Sequence, residues 1–153
     1  MLPATTQRVT DHTPDQINER IRLRTEESVA RCALAGPEAI EQRVAELERE
    51  WDIERVLEAN AASIALFGLG MGAFADRRYF ALPAIVMGFL LQHALQGWCP
   101  PVPLLRRLGF RTQSEIDEER YALKALRGDF KEIAPVKASA SEDVRRLMRV
   151  VRR

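Results

Sequence analysis

Charge is nearly absent from one long stretch of this chain and crowded on both sides of it. Residues 59–75 and 79–105 form two apolar runs separated only by Asp76-Arg77-Arg78. At ~1.5 Å rise per residue, residues 59–75 make a helix of ~26 Å and residues 79–98 one of ~30 Å, against a hydrocarbon core of ~30 Å. The tripeptide between them has room only for a tight turn, so the two helices are antiparallel neighbours. Upstream, Ile40, Val44, Leu47 and Trp51 recur at helical period, and no glycine or proline interrupts the chain from Glu38 to Phe67. This predicts one continuous helix that runs into the first apolar segment, with Trp51 as an interfacial anchor.

The flanks follow from start and stop signals. Residues 1–12 read as a frayed tail. Thr13-Pro14-Asp15-Gln16 opens a helix with Thr13 as cap, ending near Leu34 before Gly36-Pro37, with a thin stripe of Ile17, Ile21, Val29 and Cys32. Pro100, Pro101 and Pro103 end the second apolar helix. Leu104, Leu105, Leu108 and Phe110 then make a short interfacial piece whose Arg106, Arg107 and Arg111 are expected to reach lipid phosphate. Thr112 or Ser114 caps a helix with a stripe of Ile116, Leu123, Leu126 and Phe130, expected to face the 40–51 stripe. Residues 131–141 read as a linker. Residues 142–153 read as a basic amphipathic helix, either resting on an anionic leaflet or solvated.

The expected fold class is therefore all-α: a two-span transmembrane helical hairpin (59–105) with flanking amphipathic cytosolic helices. Its parts are a tail (1–12), helices leading into the membrane (13–58), the hairpin, an interfacial segment with a cytosolic helix (106–130), and a linker with a basic helix (131–153).

Composition changes this picture little. The 153 residues are 46% hydrophobic and 29% charged, an average that conceals the segregation. A formal net charge of +1 argues against a dedicated nucleic-acid binder. Two distant cysteines, Cys32 and Cys99, make neither a disulfide framework nor a zinc motif. The polar residues 1–13 carry no signal-peptide pattern. Arg49, Arg55, Arg106, Arg107 and Arg111 lie on the side of the termini, against Arg77 and Arg78 in the turn, which places both termini in the cytoplasm.

Several residues stand out inside the apolar runs. Gly68 and Gly72 allow close helix packing, within the hairpin or across a homodimer. Asn60, Gln92, His93 and Gln96 are polar groups suited to interhelical hydrogen bonds that hold register. Asn60 falls level with His93, and a proton-relay or ligand role for His93 is the sharper alternative. Cys99, between Trp98 and Pro100, is either a small turn residue or a thiol at the membrane edge, with His93 the nearest base. No nucleotide loop, carboxylate pair or Ser/His/Asp arrangement appears, so catalytic residues, cofactors and metal ligands are expected to be absent.

Ile53-Glu54-Arg55-Val56-Leu57, two apolar helices, then Gly97-x-Cys99-Pro100 and Leu104-Leu105…Leu108-Gly109 resemble the YgaP-like inner-membrane transmembrane domain over roughly residues 50–112. The resemblance implies a bacterial two-helix hairpin that dimerises, with Gly97, Cys99 and Pro100 at the family's characteristic positions. Family members are sometimes attached to a rhodanese domain; none is recognisable here, so sulfurtransferase activity is not implied. Pro101-Val102-Pro103 extends the segment after Cys-Pro. Thr112-Gln113 stands where a second cysteine often occurs.

The sequence thus reads as a non-enzymatic bacterial inner-membrane anchor or interaction scaffold. The bilayer is its partner, and it forms a homodimer or joins a larger membrane complex, without nucleic acid or an evident small-molecule substrate. Two rivals remain: a thiol- or sulfur-handling role for Cys99, and a soluble all-α bundle with the apolar helices at its centre.

Overall fold

Capping chemistry and apolar spacing divide the described residues into six α-helices. The structure is a computed structural model that describes residues 4–131 and Met148. The helices are α1 (Asp15–Ala35), α2 (Pro37–Leu47), α3 (Ile53–Phe74), α4 (Ala81–Gln96), α5 (Val102–Leu108) and α6 (Gln113–Arg127). Short 3-10 turns occupy Thr10–His12 and Arg77–Phe80, and no strand occurs among the described residues. The expected C-terminal linker and basic helix lie outside the described residues, apart from Lys131 and Met148.

The described residues divide into two compact units, one made of residues 4–24 with Glu50–Ile116, the other of Thr25–Arg49 with residues 117–131. In the first unit α3 and α4 form an antiparallel hairpin. Ile53–Phe74 gives ~33 Å of helix, longer than the uncharged run alone, because the helix starts six residues earlier. The Asp76 carboxylate accepts from the Arg78 N–H at 2.8 Å and starts the turn between the arms. Gly68 and Gly72 face the second arm. A Cβ at Gly68 would stand 2.7 Å from Pro83 Cδ, and one at Gly72 would stand 2.7 Å from the Phe80 ring. Glycine here lets the helix backbone approach its neighbour closely.

The arms open onto a small core near their base. Ile53, Val56 and Leu57 of α3 pack with Val9, Cys99, Val102 and Leu105, and Phe110 leans against the cluster. Val9 is 2% exposed, so residues 4–12 are not the frayed tail expected. One apolar side chain at full burial contributes ~1.5–3 kcal/mol, enough to hold a short segment down.

Two expected helix boundaries are corrected. The continuous helix predicted through Trp51 breaks between Leu47 and Ile53. Asp52 caps α3 by accepting from the Arg55 N–H at 2.8 Å. The Ile53 N–H, which would have no partner in a helix start, donates to the Arg111 carbonyl at 2.8 Å. Trp51 lies exposed beneath the Arg55 guanidinium, 4.4 Å from the ring centroid. Thr13 does not cap α1. Its hydroxyl donates to the Val9 carbonyl at 2.8 Å and accepts from Arg106 Nε at 3.2 Å.

In the second unit Ile40, Val44 and Leu47 are buried along α2, and Leu123 is buried on α6, whereas Leu126 points outward. Glu119, fully buried, accepts from Arg43 Nε and Nη2 at 2.9 and 3.2 Å and ties α2 to α6.

Candidate functional site

The candidate site sits where α4 ends. Gly97 stops the helix in the left-handed conformation, φ +79°, with its N–H donating to the His93 carbonyl at 2.7 Å. A side chain there is excluded twice. The backbone angle disfavours it, and a Cβ would lie 2.2 Å from the Arg8 carbonyl oxygen. The N-terminal segment therefore crosses directly over the exit of α4. Two residues on, Cys99 is buried, and its carbonyl accepts from the Val102 N–H at 3.0 Å at the start of α5.

Beneath the crossing lies a polar cluster. His93 is 2% exposed, and its Nε2 is 2.7 Å from Glu54 Oε2. The other Glu54 oxygen accepts from Arg8 Nη2 at 2.9 Å, while Arg8 Nη1 reaches the Ala94 carbonyl at 3.4 Å. His93 Nδ1 is buried without a hydrogen-bond partner. Among the described residues no group of three or more His, Cys, Asp or Glu side chains is placed to hold a metal ion.

Of the residues singled out in sequence, His93, Gly97 and Cys99 come together here, and Pro100 is exposed beside them. Asn60 does not join His93: its amide donates to Val56 of its own helix at 2.8 Å, and the residue is exposed. Gln96 is exposed and Gln92 half-buried, so the four polar residues make no common cluster. The arms are instead linked by Glu54, about a turn and a half below Asn60.

The expectation that Arg106, Arg107 and Arg111 reach lipid phosphate is corrected for two of the three. Arg106 is completely buried and donates to Glu115 at 2.6 and 2.7 Å, to Asn18 Oδ1 at 2.9 Å and to the Phe110 carbonyl at 3.1 Å. Arg111 donates to both Glu50 oxygens, at 2.8 and 2.7 Å. Only Arg107 remains exposed. Burial works against ionisation of Glu115, but Arg106 and the Thr112 N–H outweigh it and hold this carboxyl below the ordinary glutamate range. Glu115 also completes a reciprocal cap, accepting from the Thr112 N–H at 2.8 Å while its own N–H donates to Thr112 Oγ1 at 3.3 Å.

Sequence reasoning passed over Arg8, Glu54, Glu50 and Glu115. The available signal was His93 itself, since an ionisable group in an apolar helix needs a partner. No family model, curated protein or solved structure matches this chain.

Proposed function

We propose that this protein is a two-span membrane hairpin acting as an anchor and interaction scaffold. The observation that carries this reading is the exposure of the apolar arms. In their most apolar windows only 33% of α3 and 6% of the Arg77–Gln96 arm is buried. Leu66, Phe67, Phe74, Ile85 and Leu91 are each more than half exposed. In water each would forgo ~1.5–3 kcal/mol of burial, whereas hydrocarbon satisfies them all. The arms are also long enough to cross a bilayer.

The same exposure weighs against a soluble bundle, in which these helices would form the centre. The arginine distribution supports cytoplasmic termini, and the Gly97-x-Cys99-Pro100 pattern supports a bacterial inner-membrane hairpin that pairs with a second copy or joins a larger complex.

Alkaline carbonate extraction of membranes containing the tagged protein tests the reading. Retention in the pellet until detergent is added is the expected result; release into the supernatant overturns it. Mass spectrometry of what co-elutes in mild detergent then tests the scaffold role, for which a stoichiometric companion is expected.

A further inference from the structure

We infer that α5 rests in the headgroup layer of an acidic leaflet, with Leu104 and Leu108 toward the acyl chains and Arg107, Arg20 and Arg24 on lipid phosphate. The inference rests on the membrane-hairpin reading and adds to it a lipid class and the residues that select it. Leu104 and Leu108 stand four residues apart on one face of α5, 60% and 66% exposed, with Arg107 exposed beside them. The other face, made of Val102, Leu105 and Arg106, is buried. Arg106 and Arg111 turn inward, and α1 supplies cations in their place. Arg20 Nη2 lies 3.5 Å from the Arg107 carbonyl oxygen, and Arg24 Nη1 would lie 3.4 Å from a Cβ built at Gly109. Two guanidiniums from α1 thus flank the C-terminal end of α5.

The occupant follows from charge and from position. Arg20, Arg24 and Arg107 are exposed, and among the described residues none of them is ion-paired. Glu19, next to Arg20 in sequence, is held at both oxygens by Arg22. The pull of the α5 C-terminus on cations accounts for Arg20 but leaves the two leucines in water. A second copy seated on the same face would set these arginines against their own counterparts, which like-charge repulsion opposes. Acidic lipid answers both features, because phosphate takes the guanidinium forks and the acyl boundary takes the leucines. Val102 and Leu105 pack with Ile53, Val56 and Leu57 at the start of the first arm. This packing holds α5 at the end of the hairpin, where hydrocarbon gives way to headgroups.

The test places a nitroxide on the full chain in proteoliposomes, at Leu108→Cys in a Cys32→Ser, Cys99→Ala background. Collisions with oxygen, which concentrates in hydrocarbon, and with a water-soluble nickel chelate read its depth. In phosphatidylglycerol vesicles the label should meet oxygen more often than nickel, and in phosphatidylcholine that excess should shrink. Arg20→Gln, Arg24→Gln and Arg107→Gln together should abolish the difference between the two lipids. A label open to nickel as it would be in water overturns the inference. A label shielded from both reagents, the mark of a protein partner, overturns it too, as does a lipid difference that survives the triple replacement. A second label at Ile85→Cys, on the exposed face of the arm, keeps the two readings apart. Nickel access at 108 with an oxygen excess at 85 overturns this inference and leaves the hairpin standing, whereas nickel access at both overturns both. Should the cysteine-free background not fold, lipid carried through detergent purification from vesicles equimolar in the two lipids decides. The chain with its native cysteines should retain phosphatidylglycerol in excess, by up to about fivefold per arginine, and the triple replacement should remove that excess. Equal retention of the two lipids before any replacement overturns the inference.

Discussion

Replacing Arg106 by methionine is the most informative perturbation of the first unit. The guanidinium has no solvent contact, and two of its hydrogen bonds run to Glu115, whose side chain is 17% exposed. Methionine keeps much of the volume but leaves Glu115 a largely buried carboxylate without its counter-charge. It also removes the donors to Asn18, Thr13 and the Phe110 carbonyl. Breaking a buried pair from one side costs about 3–5 kcal/mol at neutral pH. The cost depends on pH with a defined sign. In the wild type the Glu115 carboxyl lies below its unfolded value, so its contribution is complete above the unfolded pKa, near 4.3, and disappears as pH falls through the lower folded value. The variant lacks that contribution, so its deficit is largest at neutral pH and shrinks in acid. Removing both charges, as Arg106→Met with Glu115→Leu, should recover a large part of the loss. Denaturant unfolding in detergent, followed by tryptophan fluorescence at pH 7 and pH 3.5, reads all three proteins. A loss below about 1 kcal/mol at pH 7, a loss equal at both pH values, or a double variant worse than the single would refute the reasoning.

Further predictions concern the glycines. Gly68→Ala should destabilise the hairpin by about 1–3 kcal/mol because its methyl meets Pro83, a ring fixed to the backbone. Gly72→Ala should cost less, since the Phe80 ring can swing aside and alanine favours the helix; unfolding in SDS ranks the two. Gly70 has nothing within 4 Å of a built Cβ, so Gly70→Ala should be neutral or stabilising in the same assay. Gly97→Ala should cost about 1–2 kcal/mol for the left-handed angle alone and also displace Arg8, which limited proteolysis would detect as faster cleavage within residues 4–12.

The hairpin was legible because its signal is local. Charge-free runs of helical length and a tripeptide turn need no knowledge of the rest of the chain. Thr112, one of the two candidate caps of the helix that follows, was legible in the same way. The site was not, because its members are scattered. Glu54 lies 39 residues from His93 and Arg8 another 46 from Glu54, and each alone looks like an ordinary exposed charge. Arg106 and Arg111 misled for a related reason. Arginines among leucines suit a membrane surface, and only the tertiary positions of Glu115 and Glu50 turn them inward. The break before Ile53 was hidden because its cause, the Arg111 carbonyl, lies far along the chain.

The segment that crosses Gly97 also sets an order in time. Arg8 and Thr13 leave the ribosome well before the groups that hold them, which lie 86 and 93 positions later, at Ala94 and Arg106. Until those are made, Val9 has no complete seat. The arms, whose contacts are close in sequence around Asp76, can pair as soon as Gln96 has emerged. The loop closed last is thus the longest, and ring closure of that kind is a slow, late event. Hairpin pairing precedes the fastening of the base, and a chain halted between the two would display paired arms with Cys99 uncovered.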